Sequence, residues 1–283
     1  MRRFLSMLVW VFGIFFTVIL YLVMLFLVII LYPFDKKRKV AHAQCYWWSD
    51  ILVSLNPAWK MNISGLENID RKKAYVIVAN HQSMVDILVL YKIKTQFKWV
   101  AKESLFKVPF VGWCMSLAKH IKLERGKFAS IKKVYREAAG WLRGGISVLF
   151  FPEGTRSETD EMNEFQNGAF KLAIKEKKPV LPILIKGTRD AIPKHGRQFA
   201  AKVHCVLKVL PPVETANLGP GDFEKLRDIL LAIRGKFLLS INDHPRTKEL
   251  FKNFRISKEK TTYTAGHGRS PHKSVTELLI SNY

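Results

Sequence analysis

Acidic residues are scarce in this chain: 23 Asp and Glu stand against 46 Lys and Arg in 283 residues, a formal charge of +23. That balance excludes an anion-repelling surface and calls for an anionic partner: nucleic acid, an acidic carrier protein or an anionic bilayer. Cysteine is also rare. Cys45, Cys114 and Cys205 are odd in number, far apart and without metal-ligand spacing. They offer neither a disulfide framework nor a metal site, and read as reduced thiols of a domain facing the cytoplasm. No Gly-x-Ser-x-Gly stretch occurs, so no nucleophile-elbow serine is expected, and no internal repeat divides the chain.

Long apolar sequence is not lacking. From Phe4 to Leu31 only Ser6 and Thr17 are clearly polar. As a helix this run is roughly 42 Å long, more than the ~30 Å hydrocarbon core of a bilayer requires. It shows neither the short apolar core nor the small-residue cleavage site of a signal peptide. Residues 1–39 are therefore read as a membrane helix with a basic flank, favouring nucleic acid less than a bilayer as partner. Lys36, Lys37, Arg38 and Lys39 outweigh Arg2 and Arg3, which places the body of the protein on the cytoplasmic face. A helix spanning the membrane is preferred to one bent at Gly13 that returns to the same side. Residues 40–60 crowd Tyr46, Trp47, Trp48 and Trp59 beside Ile51, Leu52 and Leu55. That pattern is read as an amphipathic helix over residues 41–55 at the headgroup level, with a core helix as the alternative.

From residue 61 to 243 strand-like and helix-like runs alternate. Strands are expected over 75–79, 98–101, 120–123, 147–151, 180–185 and 202–210. Helices are expected over 84–92, 105–117, 128–142, 168–175 and 223–239. The alternation predicts an α/β domain, a mostly parallel sheet covered by helices on both faces. Residues 244–283 turn basic and polar with few apolar anchors, and 261–274 carry Gly266, Gly268 and Pro271; this tail is expected to be disordered.

Two strand ends carry the chemistry. Tyr75-Val76-Ile77-Val78-Ala79 runs into Asn80-His81-Gln82-Ser83-Met84-Val85-Asp86. Ser83 is suited to cap the following helix, with Asp86 in its first turn. In a tight turn the Asp86 carboxylate reaches one imidazole nitrogen of His81, fixing the tautomer and leaving the other nitrogen as a base; the competing reading is a capped turn with a solvated histidine. Ser147-Val148-Leu149-Phe150-Phe151 similarly runs into Pro152-Glu153-Gly154-Thr155-Arg156-Ser157.

These blocks together resemble the glycerolipid acyltransferases, specifically the 1-acylglycerol-3-phosphate acyltransferases. Lys119-His120-Ile121-Lys122-Leu123-Glu124-Arg125 between them and Val180-Leu181-Pro182-Ile183 after them agree. The resemblance covers roughly residues 62–210. It implies an O-acyltransferase of phospholipid synthesis that carries an acyl chain from acyl-CoA or acyl carrier protein to the sn-2 hydroxyl of lysophosphatidic acid, giving phosphatidic acid, without a further cofactor or metal. It also implies His81 as general base, Asp86 as its orienter, and Arg125, Glu153, Gly154, Thr155 and Arg156 as substrate-binding residues. A guanidinium fork suits phosphate oxygens, a Gly-Thr turn can offer amides to a phosphate or oxyanion, and Glu153 is expected to hold the glycerol hydroxyls. Glu124 stands where the family usually has aspartate, and Gln166 where it often has a basic residue, so the acceptor is less firmly implied than the reaction. Another lysophospholipid or glycerol 3-phosphate as acceptor, a membrane-tethered thioester hydrolase and a lipid-binding scaffold without turnover stay open at this point.

Overall fold

The computed structural model describes residues 2–158, 162–163, 165–192, 196, 198–216, 238–242, 248, 255–263 and 273–281. Seven strands form one sheet: β1 (Trp59–Ser64), β2 (Val76–Ala79), β3 (Phe97–Lys102), β4 (Ile121–Leu123), β5 (Ser147–Phe150), β6 (Val180–Lys186) and β7 (Val203–Val209). Their spatial order is β1-β7-β6-β2-β5-β3-β4, parallel throughout except for the β6–β7 pair. The expected mostly parallel sheet is thus present. β1 was not foreseen, although Trp59-Lys60-Met61-Asn62-Ile63-Ser64 alternates half-buried and exposed as an edge strand should.

Both sheet faces are covered. Along β2, Ile77 and Ala79 join a core with α1 (Arg2–Ile30), α2 (Lys39–Ser54), α3 (Asp86–Tyr91) and α5 (Val111–Leu117). Val76 and Val78 point the other way, into a core with α6 (Phe128–Arg143) and α7 (Gly168–Glu176). Alternate side chains of a strand take opposite faces, and a strand buried on both reads as unbroken apolar sequence. Val76, Ile77 and Val78 are each at most 2% exposed, a burial worth about 1.5–3 kcal/mol per side chain.

α1 is continuous through Gly13, so the bend there is absent. Nor does α1 stand off from the domain. The Phe199 amide donates to Ser6 Oγ near its start, Trp48 Nε1 donates to Thr17 Oγ1 in its middle, and Tyr21 meets the rings of Phe110 and Trp113. Beyond its end, the Lys98 ammonium, fully enclosed, donates to the carbonyls of Lys37 and Ala118, while Lys37 Nζ donates to the Gly144 carbonyl. The segment Ser6–Ile30 is long and apolar enough to cross a membrane. Held along its length in this way, it leaves a bilayer access to its outer side alone. Phe12, Phe15, Phe26 and Ile29 lie exposed there.

α2 packs one face on the domain. Ala41, His42, Cys45 and Ser49 are buried against the domain, and Ser49 Oγ donates to the Leu88 carbonyl. Trp48 and Trp59 are engaged inside the fold, Trp59 Nε1 donating to the Ala200 carbonyl. Asp35 starts the helix, its carboxylate accepting from the Lys39 and Val40 amides.

The helix expected over 105–117 is two, α4 (Glu103–Phe106) and α5, broken at Pro109-Phe110. A Cβ at Gly112 would stand 2.3 Å from the Phe106 carbonyl oxygen, so only glycine lets the two helices approach this closely. Phe110 between them takes φ 59°, a left-handed conformation unusual for an aromatic residue. α8 (Thr188–Ala191) follows β6. Most of the helix expected over 223–239 lies outside the described residues, and Leu238 and Leu239 open a strand, β8 (Leu238–Asn242). In the tail expected to be disordered, β9 (Arg255–Tyr263) and β10 (Lys273–Ser281) pair antiparallel, and β10 also pairs with β8.

Candidate active site

β2 and β5 are hydrogen-bonded neighbours, Val78 opposite Phe150. The two segments that leave their carboxyl ends therefore start side by side, at the edge where open α/β sheets place ligand sites. That register brings His81 and Glu153 together from 72 residues apart: the His81 amide donates to Glu153 Oε1 at 2.6 Å, and the Ser157 amide donates to the His81 carbonyl at 2.8 Å. Asn80 fixes the exit. Its side chain accepts from the Ile185 amide and donates to the Ile185 carbonyl, at 2.7 and 2.8 Å. Nothing in its immediate sequence marks Asn80 for this part, because the partner lies four strands on in the chain, in β6.

His81 Nδ1 lies 2.7 Å from Asp86 Oδ2, and the same oxygen accepts from the Gln82 and Ser83 amides at 2.7 and 2.9 Å. Asp86 is wholly buried, whereas the His81 side chain keeps 23% of its surface exposed. A buried carboxylate on Nδ1 holds that nitrogen as the donor and turns Nε2 into the acceptor. The imidazole is further held by stacking on Phe151, with ring centroids 4.1 Å apart. Ser83 does not cap α3 as expected; the helix begins three residues later. Its hydroxyl donates to the Ile192 carbonyl instead, and the Asp86 carboxylate organises the turn from inside the helix.

Glu153 is tied into the backbone of the site. It is 5% exposed, and its two oxygens accept from the amides of His81 and Asn163. Burial pushes its pKa up to about 7, against the two backbone hydrogen bonds and with the Asp86 charge adding to the rise. Each carboxylate oxygen thus accepts from a backbone amide, which holds the side chain at the centre of the site. The same contact places Asn163 beside the site.

Gly154 has φ 68°, and its amide donates to the Phe151 carbonyl, closing a tight turn. That amide is spoken for inside the turn and not turned to a phosphate. Thr155 is exposed and Arg156 half-buried. Arg125, which follows β4, is exposed and donates from Nη2 to the Gly154 carbonyl, so it joins the site from two strands away. Lys127 is paired with Glu124 at 2.5 Å on the surface. All seven residues singled out from sequence, His81, Asp86, Arg125, Glu153, Gly154, Thr155 and Arg156, lie in loops or a helix start at this one sheet edge. No cluster of three or more metal-ligating side chains occurs among the described residues.

Residues 60–186 match the family model described as Acyltransferase. A 1-acyl-sn-glycerol-3-phosphate acyltransferase of Chlamydomonas reinhardtii is 36% identical over 203 residues, 70% of this chain and 60% of that protein. A chloroplastic 1-acyl-sn-glycerol-3-phosphate acyltransferase of Arabidopsis thaliana is 36% identical over 190 residues, 64% of this chain and 53% of that protein. The matched region thus spans between about half and three-fifths of these relatives' length. In structure, the 1-acyl-sn-glycerophosphate acyltransferase PlsC of Thermotoga maritima superposes with a TM-score of 0.70 at 27% identity, over 83% of this chain and 95% of that one. With β2 and β5 delivering His81, Asp86 and the 153–156 turn to one edge of a PlsC-like sheet, the domain at residues 60–186 is similar to the acyltransferases in both sequence and fold.

Proposed function

We propose that the chain is a membrane-bound 1-acylglycerol-3-phosphate acyltransferase, moving an acyl group from acyl-CoA or acyl carrier protein to the sn-2 hydroxyl of lysophosphatidic acid. The observation that carries this reading is the 2.7 Å contact between His81 Nδ1 and the buried Asp86 carboxylate, at the sheet edge that also holds Arg156. His81 Nε2 takes the acceptor hydroxyl proton as that oxygen attacks the thioester carbonyl carbon. A tetrahedral oxyanion forms, the carbon–sulfur bond breaks, and the imidazolium returns its proton to the leaving thiolate. No acyl-enzyme is needed, in keeping with the lack of a nucleophile elbow.

Arg156 is assigned to the acceptor phosphate, where its planar fork suits two oxygens at once. Arg125 is assigned to the same phosphate from the other side, while its contact with the Gly154 carbonyl also shapes the turn. Thr155, exposed on that turn, is placed against the same group. The outer side of α1 and the basic residues 36–39 are assigned to an anionic membrane, with the domain on the cytoplasmic side.

A phosphate clamp favours an alcohol acceptor over water, which would need none. Purified protein given labelled acyl thioester, as CoA or carrier-protein ester, with a panel of lysolipids tests this: phosphatidic acid as the main product is expected. Free fatty acid irrespective of acceptor would establish a hydrolase, and a different acylated lipid would move the acceptor assignment.

A further inference from the structure

Besides α1, a second apolar surface lies open at the active-site edge. α4 leaves the carboxyl end of β3, on the same edge as His81 and Glu153. Leu105 and Val108 are 39% and 41% exposed there, and Val111 and Trp113 at the start of α5 are 37% and 44% exposed. The sequence gives no polar cover for them, and the backbone forbids their retreat. Gly112 packs directly on the Phe106 carbonyl, and Phe110 is held at positive φ, so the α4–α5 turn is locked with its apolar side outward.

This turn is continuous with α1. The Tyr21 ring lies 5.9 Å from Phe110 and 5.2 Å from Trp113, and Phe110 and Trp113 are 4.9 Å apart, so one aromatic seam joins the apolar helix to the turn. Exposed lysines accompany the turn: Lys102 and Lys107 at α4, Lys119 after α5, and Lys122 with its ammonium over the Phe106 ring. Aromatic rings beside apolar side chains, bordered by cations, match the layering of an anionic bilayer surface: acyl chains, then headgroup level, then phosphate.

We infer that the α4–α5 turn, residues 105–113, is a second membrane contact, seated in an anionic bilayer beside α1. It brings the active-site edge down to the lipid surface, so that an acceptor with one acyl chain reaches His81 without leaving the bilayer. This rests on the reading of α1 as membrane-seated.

The test uses the full chain on vesicles of equal parts phosphatidylcholine and phosphatidylglycerol. A nitroxide is placed in turn on Val108→Cys, Phe15→Cys and Leu66→Cys, and its accessibility to oxygen and to a water-soluble nickel chelate is compared. The three native cysteines are buried, and Leu66 is an exposed apolar residue at the far edge of the sheet. The expected result is bilayer character at 108 and 15 and aqueous character at 66. Bilayer character at 15 with water at 108 overturns the inference; water at both overturns it together with the seating of α1. A protein that shows the expected pattern but transfers no acyl group upholds the inference and removes the enzyme reading instead. As a second measure, Val108→Asp with Trp113→Ser should weaken vesicle binding about tenfold or more, and Leu66→Asp should leave it unchanged. Equal weakening by both would equally overturn the inference.

Discussion

The Asp86 carboxylate gathers three donors on one oxygen, the His81 ring and the amides of Gln82 and Ser83, so the residue that holds the imidazole also folds the turn that carries it. His81 and Asp86 are therefore not interchangeable in mutational terms, because Asp86 also shapes backbone.

His81→Ala should abolish acyl transfer with the fold retained, a loss of about 10²–10⁴-fold as expected for a general base. Activity within about threefold of wild type would remove the base assignment. Asp86→Asn should lower kcat by about 10² or more, since the amide can present its NH2 to Nδ1 and impose the wrong tautomer. Circular dichroism should show the helices intact, separating tautomer loss from unfolding.

Glu153→Gln should lower thermal stability, because a single amide oxygen cannot accept from both the His81 and Asn163 amides; one orphaned buried donor costs about 1–3 kcal/mol. The pH dependence follows from the pKa of about 7 against an ordinary 4.5. The native state holds this proton where the unfolded chain has released it, so stability is fullest below pH 4.5 and declines as pH rises through 7. Unfolding temperatures taken from pH 4.5 to 8 should show that decline in wild type and a shallower one in Glu153→Gln.

Lys98 offers the opposite sign. Burial lowers its pKa from 10.5 to about 8, so the unfolded chain binds the extra proton between those values and stability should rise with pH across that window. Lys98→Met should flatten the rise. It should also cost about 2 kcal/mol or more, by leaving the Lys37 and Ala118 carbonyls without their donor. Faster proteolysis of the 32–38 link between α1 and α2 would show that this lysine fastens it; an unchanged cleavage rate would confine its effect to the core.

Arg156→Lys should raise the KM for the lysophospholipid roughly ten- to hundredfold, the worth of about 1.5–3 kcal/mol for a charged hydrogen bond to phosphate. The KM for the acyl thioester should change far less. Arg125→Lys should give a smaller acceptor effect, accompanied by a fall in kcat because the donor to the Gly154 carbonyl changes with it. A pattern in which both variants weaken the thioester and spare the acceptor would assign these cations to the donor's phosphates.

The central strands and the polar clusters at their ends were legible in the sequence. Val76 to Ala79 and Val148 to Phe150 are unbroken apolar runs because both of their faces are covered, and a polar cluster after such a run marks a strand end. His81 and Asp86 are close in the chain, so their contact follows from local geometry that spacing already reports. What depends on partners distant in the chain emerged only with the fold. The two oxygens of Glu153 accept from amides of residues 81 and 163, which no local pattern shows, so its anchoring in the site appears only in the fold. The same holds for the amino-terminal helices. Hydropathy records that α1 prefers an apolar surrounding but not which one. Contacts with Phe199, Trp48 and Trp113 gave one side of it to the protein, and burial of Ala41, His42, Cys45 and Ser49 drew α2 into the core. Burial depends on what lies opposite a face, and that is fixed only when the whole chain is folded.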